Sequence, residues 1–140
     1  MTALVLDAST AVSWCFEETQ TPYAVAVLGA ISEGAEVHVP HIWPREVTNA
    51  FVKALRRQQI TRDELFDYAR QLSCLQAQVD FDQSAERTFT DVLALAERYQ
   101  LTTYDAAYLE LARRRGFPLA TSDGNMLQAA GAIRVAIFQP

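Results

Sequence analysis

From end to end, short apolar runs alternate with stretches in which apolar residues recur at helical spacing, and this alternation limits the chain to an α/β fold. Leu4-Val5-Leu6 is too short for a helix and apolar on both faces, as a buried parallel strand must be. A helix is expected to follow it, capped by Ser9 and running through Trp14 and Phe16. Thr21-Pro22 is an N-cap with a proline at the first helical position, and Ala24, Val27, Leu28 and Ile31 keep the helical period until Gly34. Val37-His38-Val39 is the second strand. After Pro44, the residues Val47, Ala50, Phe51, Ala54 and Leu55 form one stripe, with Glu46, Asn49 and Lys53 beside it.

Thr61 and Glu64 form a capping box ahead of a further helix. Gln78 to Phe81 is a weaker strand candidate. Ser84 opens a helix carrying Phe89, Val92, Leu95, Ala96 and Tyr99, and Thr102 or Thr103 caps one that ends at Arg113-Arg114-Arg115-Gly116. Strands are expected at Pro118 to Thr121 and at Arg134 to Phe138. With 140 residues and no linker or repeat, residues 1–140 are expected to form a single domain.

Composition removes several classes of function. No apolar run approaches the roughly 20 residues of a membrane span, and the start lacks a basic leader, so the expected location is the cytoplasm. Cys15 and Cys74 lack metal-type spacing and are read as free thiols. The net charge of −5 opposes broad adhesion to polyphosphate, so any nucleic-acid contact must be local. The basic runs Lys53 to Arg57 and Arg113 to Arg115 both lie near helix ends, where cations also favour the helix dipole.

The acidic residues carry the functional signal. Asp7 ends the first strand, Glu46 and Asp105 fall in first helical turns, and Asp123 follows the apolar run Pro118 to Ala120. If the strands are parallel, these carboxylates share the carboxyl edge of the sheet, where open α/β folds place their ligands. At an effective dielectric near 20, two carboxylates about 5 Å apart repel by roughly 3 kcal/mol, so such a group must bind a cation or take up protons. An all-oxygen carboxylate site selects hard cations, with Mg²⁺ and Mn²⁺ the phosphate-binding members. His38 and His41 have no third ligand at metal spacing, and there is no Gly-rich phosphate loop and no nucleophile elbow.

Val5 to Ser9, Pro44 to Ala50, Thr103 to Ala112 and Leu119 to Asp123 are in order and spacing similar to a PIN domain of the VapC toxin type. The likeness spans residues 4 to 138. It implies a three-layer α/β/α sandwich around a central parallel sheet and a homodimer. It also implies an Mg²⁺- or Mn²⁺-dependent endoribonuclease silenced by a small VapB-type antitoxin. The family's acids fall on Asp7, Glu46, Asp105 and Asp123, and its supporting polar positions on Ser9, Asn49 and Thr121. Gly124-Asn125 departs from the family by standing where relatives often carry a basic residue.

On this reading Asp7 and Asp105 are the principal metal ligands, and Asp123 serves a second ion or a water. Glu46 holds or deprotonates the attacking water. Ser9 either hydrogen-bonds a metal-bound water or a phosphate oxygen or only caps a helix, and Asn49 is expected to fix Glu46 by a hydrogen bond. Trp14, Phe16, Trp43 and Phe51 are expected to flank an apolar groove for the antitoxin. The rival readings are a catalytically silent PIN-like module that binds its partner or nucleic acid, a phosphatase, and a DNA flap nuclease. The phosphatase reading rests on the likeness of Asp7-Ala8-Ser9-Thr10 to a phosphoaspartate loop, whose second Asp is missing, and the chain lacks room for a DNA-binding arch.

Overall fold

The computed structural model describes residues 2–140. Its centre is a parallel sheet of β1 (Ala3–Leu6), β2 (Glu36–Pro40), β3 (Gln78–Asp80) and β4 (Leu119–Ala120), in the order β3-β2-β1-β4. Leu4, Val5 and Leu6 are wholly buried, as their uninterrupted apolar run required. Helices flank the sheet in an α/β/α arrangement: α1 (Ala8–Ser13), α2 (Pro22–Ser32), α3 (Trp43–Arg56), α4 (Arg62–Ser73), α5 (Ala85–Arg87), α6 (Leu93–Tyr99), α7 (Thr103–Arg115) and α8 (Gly124–Ala132). None of them is long and apolar enough to cross a membrane.

The local signals explain most boundaries. Thr21 caps α2 ahead of Pro22, the Thr61–Glu64 capping box opens α4, and Thr102 caps α7, which ends on left-handed Gly116. α7 lies across β1, β2 and β4 and buries Ala106 through Ala112 without a break, so polar groups within it must find partners inside the protein.

Four expectations need correction. The cap of α1 is Asp7, whose carboxylate accepts the Ser9 N–H, and the helix stops at Ser13 before Trp14 and Phe16. The Arg134–Phe138 strand shrinks to a single bridge between Leu119 and Ile137. Arg134 is left-handed, with φ of 61°, and the Val135 N–H turns back to Ala130 O at 2.9 Å, so the ladder forms only beyond it. α8 was not foreseen, although Asp123 caps it through the Met126 N–H at 2.9 Å. A π-helical turn at Thr88–Val92 interrupts the helix after Ser84 and shifts its register, and Phe89 is left 76% exposed.

Candidate functional site

The sheet delivers the acids to one edge by different routes. β1 runs directly into Asp7, which is 5% exposed and so cannot rely on water to hold its charge. Its Oδ2 accepts the Ser9 hydroxyl at 2.7 Å and the Thr121 hydroxyl at 2.8 Å. Thr121, just beyond β4, in turn accepts the Asp123 N–H at 3.1 Å, so one hydroxyl couples the two strand ends that carry Asp7 and Asp123. Ser9 and Thr121 thus both donate to the Asp7 carboxylate, and the Ser9 hydroxyl does more than stand at a helix start.

Glu46 projects from the first turn of α3, and the Tyr108 hydroxyl donates to its Oε1 at 2.7 Å. Tyr108 is wholly buried in α7, so it can hold the carboxylate in one place. Asp105 sits one turn earlier on the same helix, its N–H donating to the Thr102 cap at 3.0 Å. No described hydrogen bond joins Asn49 to Glu46, and Tyr108 fills the role expected of Asn49. The sequence concealed this because a tyrosine on an apolar helix face reads as core packing, and 62 positions separate the pair.

The electrostatics are those of an uncompensated acidic rim. Burial pushes the Asp7 carboxyl above its usual range, against the hydrogen bonds from Ser9 and Thr121, and the Asp123 charge adds to the rise. Burial also raises Glu46, opposed by Tyr108 and reinforced by Asp7 and Asp105. Asp105 rises through burial and then the charges of Asp7 and Asp123. These mutual effects place the carboxylates within electrostatic reach of one another. No Lys, Arg or His forms an ion pair with any of them among the described residues. The rim is nevertheless open: among the described residues no three His, Cys, Asp or Glu side chains already stand close enough together to hold a metal ion. As donors, Asp7, Asp105 and Asp123 offer hard carboxylate oxygens, the set that Mg²⁺ and Mn²⁺ prefer.

Glu46 stands between two clefts. One, of about 490 Å³, is lined by Ser9, Thr10, Phe16 and Ser122, and the other, of about 660 Å³, by Arg45, Asn49 and Tyr104. The groove expected from four aromatics keeps only two. Trp43 and Phe51 are 6% and 1% exposed, closed into the core by the apolar stripe of α3, whereas Trp14 and Phe16 remain half-buried beside a third cleft. The basic run at the end of α7 is also partly spent internally. Arg114 pairs with Glu110 and Asp80, and Arg115 with Asp80 and Asp82, so these cations are not a free nucleic-acid patch.

Similarity to known proteins agrees with this architecture. The chain is 30% identical over 125 residues to Ribonuclease VapC3 of Pyrobaculum aerophilum, covering 89% of this chain and 92% of that protein. The solved structure of PAE2754 from Pyrobaculum aerophilum superposes with a TM-score of 0.67 at 22% identity, over 91% of this chain and 84% of the other. FitAcB from Neisseria gonorrhoeae gives 0.67 at 16% identity, over 98% and 97% of the two chains. VapBC2 from Rickettsia felis, solved bound to a DNA fragment from their promoter, gives 0.64 at 13% identity, over 99% and 98%. At these identities the structural likenesses establish the fold alone. The PIN domain model itself matches residues 4–132, which include every carboxylate of the rim, and the chain therefore belongs to the PIN domain family.

Proposed function

We propose that this chain is a divalent-metal-dependent endoribonuclease, the toxin of a toxin–antitoxin pair. The observation that carries the reading is the rim of Asp7, Glu46, Asp105 and Asp123, in which hydroxyl donors orient Asp7 and Glu46 and no cation among the described residues forms an ion pair with any of the four. The name of the 30% identical relative, a ribonuclease, supports RNA as substrate. The donor chemistry and the uncompensated charge both fit Mg²⁺ or Mn²⁺, with Asp7 and Asp105 as the principal ligands and Asp123 serving a second ion or a water.

A bound divalent cation supplies Lewis-acid stabilisation of the negative charge that gathers on the phosphate during hydrolysis. The chain's own residues do the rest. Ser9 and Thr121 fix the Asp7 carboxylate without neutralising it, because each donates a neutral hydroxyl. Glu46, pushed upward by its burial, is the base that takes the proton of the attacking water. Tyr108 holds its Oε1, which leaves Oε2 to receive that proton.

The acidity of the chain suits an antitoxin with a basic segment, whose apolar anchors would lie against Trp14 and Phe16. Residues 1–140 act as one catalytic domain in this reading, paired as a homodimer in the cytoplasm. The test is to incubate the purified, partner-free protein with total RNA, with and without Mg²⁺ or Mn²⁺, and to map new ends. Discrete ends that need the metal are expected. Intact RNA at every metal concentration would overturn the proposal in favour of a silent binding module.

A further inference from the structure

We infer that the cleft formed by Arg45, Asn49 and Tyr104 is a binding site for one unpaired nucleotide of the substrate, next to the bond that is cut. The inference rests on the ribonuclease reading and adds to it a site outside the acidic rim.

Tyr104 immediately precedes Asp105 on α7, so its ring is tied to the rim by a single backbone step. It is 58% exposed, although the residues that follow Asp105 in the same helix, Ala106 through Ala112, are all buried. The ring thus stands in water ahead of the buried middle of the helix, and it lines the cleft together with Arg45 and Asn49 of α3. Glu46 belongs to this cleft and to the acidic rim at once, so anything held here lies against the Glu46 carboxylate.

The cleft offers three separate chemistries. The Tyr104 ring presents a face on which a base can stack, an attraction that any of the four bases can use. Arg45 has no carboxylate partner among the described residues, and its guanidinium has the fork geometry that suits a phosphate. It also offsets, at this spot, the repulsion that the acids exert on a polyanion. The exposed Asn49 amide makes no described hydrogen bond and carries both a donor and an acceptor for a base edge or ribose hydroxyl. Thr48 is not part of the set, because its hydroxyl turns back to Pro44 O at 2.7 Å. Ile42 and Val52 add apolar lining. A ring, a cation and an amide around about 660 Å³ match a single-stranded nucleotide, whose base is free to leave its neighbours and stack.

The test uses the full chain and an unstructured RNA oligonucleotide carrying 2-aminopurine at successive positions. Stacking on Tyr104 quenches the fluorophore at one position. Tyr104→Ala is expected to abolish that quench and to raise KM roughly tenfold, with a much smaller change in kcat. Tyr104→Phe keeps both, because it keeps the ring. Arg45→Gln is expected to lower the slope of log affinity against log salt by about 0.7, the value of one phosphate contact to a single strand. If the wild type cuts RNA while Tyr104→Ala and Arg45→Gln leave quench, KM and salt slope unchanged, the nucleotide site is overturned and the ribonuclease reading survives. Quenching that depends on Tyr104 in a protein that cuts no RNA supports the site and overturns the ribonuclease reading instead. If Tyr104→Ala weakens a co-purified protein partner but not RNA, the cleft belongs to that partner and the inference fails.

Discussion

The carboxylates of Asp80 and Glu110 are as buried as that of Asp7, but their surroundings are opposite. Glu110 accepts Arg114 Nε at 2.8 Å and Gln83 Nε2 at 2.7 Å, and Asp80 is paired with both Arg114 and Arg115. That network joins β3 to α7 and balances its charge inside the protein. At the rim, among the described residues, Asp7 and Glu46 receive hydrogen bonds only from Ser9, Thr121 and Tyr108. Hydroxyls orient a carboxylate without cancelling its charge, so Asp7 and Glu46 are held in place with no counter-charge among the described residues. Burial raises Asp80 too, but the hydrogen bonds from Arg114, the Asp82 N–H and Arg115 outweigh it and leave the carboxyl below its usual range. Asp7, Glu46 and Asp105 end above theirs. Burial alone therefore does not separate the two regions; what separates them is whether an Arg stands beside the carboxylate.

The most damaging way to break the contrast is to remove the cation that the first network owns. Arg114→Met leaves Glu110 and Asp80, with side chains 2% and 3% exposed, without their main partner. It should cost about 3–5 kcal/mol in denaturant unfolding, a large part of the roughly 5–15 kcal/mol margin of an ordinary domain. A stable Arg114→Met protein would remove the network's structural role. At the rim the same kind of change should spare the fold and destroy activity. Asp7→Asn and Asp105→Asn are each expected to lower RNA cleavage at least about 100-fold, since even partners behind metal ligands are worth 10–100-fold. Their melting temperatures in metal-free buffer should stay at or above the wild-type value, because each removes a repelled charge. Full cleavage by folded Asp7→Asn would end its assignment.

Tyr108→Phe sharpens the comparison more gently, by deleting only the hydroxyl that holds Glu46. It should reduce kcat roughly tenfold or more with a smaller change in KM. Unchanged kcat would show that Glu46 needs no holding. The smallest effect is in the pH dependence of stability, and its sign differs between the two regions. The lowered Asp80 carboxyl stabilises the fold above the ordinary carboxylate value near pH 4 and loses that contribution as pH falls through its folded value. Asp80→Asn should therefore be less stable than wild type at neutral pH, and the gap should close in acid. The raised Asp105 carboxyl does the reverse: its penalty is absent below about pH 4 and complete above its folded value. Asp105→Asn should thus be the more stable protein at neutral pH without metal, with the two converging in acid. Unfolding curves across pH check both signs, and gaps of the same sign would contradict the contrast.

What the sequence disclosed and what it hid follow the range of the interactions. β1 and β2, the caps at Thr21, Thr61 and Thr102, and the placing of Asp7, Glu46, Asp105 and Asp123 at one sheet edge were legible, because caps and strand ends are written within a few residues. Partners that meet across the fold were not. Glu110 looks like a solvated helical charge until α7 is seen to be buried over most of its length, and Arg114 looks like a dipole-favoured cation until Asp80 arrives from β3. Trp43 and Phe51 misled for the converse reason. Their aromatic size suggested a groove, but the helical stripe that carries them faces inward and only Trp14 and Phe16, beyond the end of α1, remain half-buried.

The central claim is that the rim carries a charge awaiting a cation from outside the protein. Thermal melting of metal-free protein against increasing Mn²⁺ or Mg²⁺, with calorimetric titration alongside, tests it without reference to any substrate. The account predicts saturable binding and a rise in melting temperature equivalent to about 2.7 kcal/mol at 100 times the dissociation constant. Asp7→Asn and Asp105→Asn should weaken both. No heat of binding and no melting shift at millimolar metal, in a protein that remains folded, would contradict it.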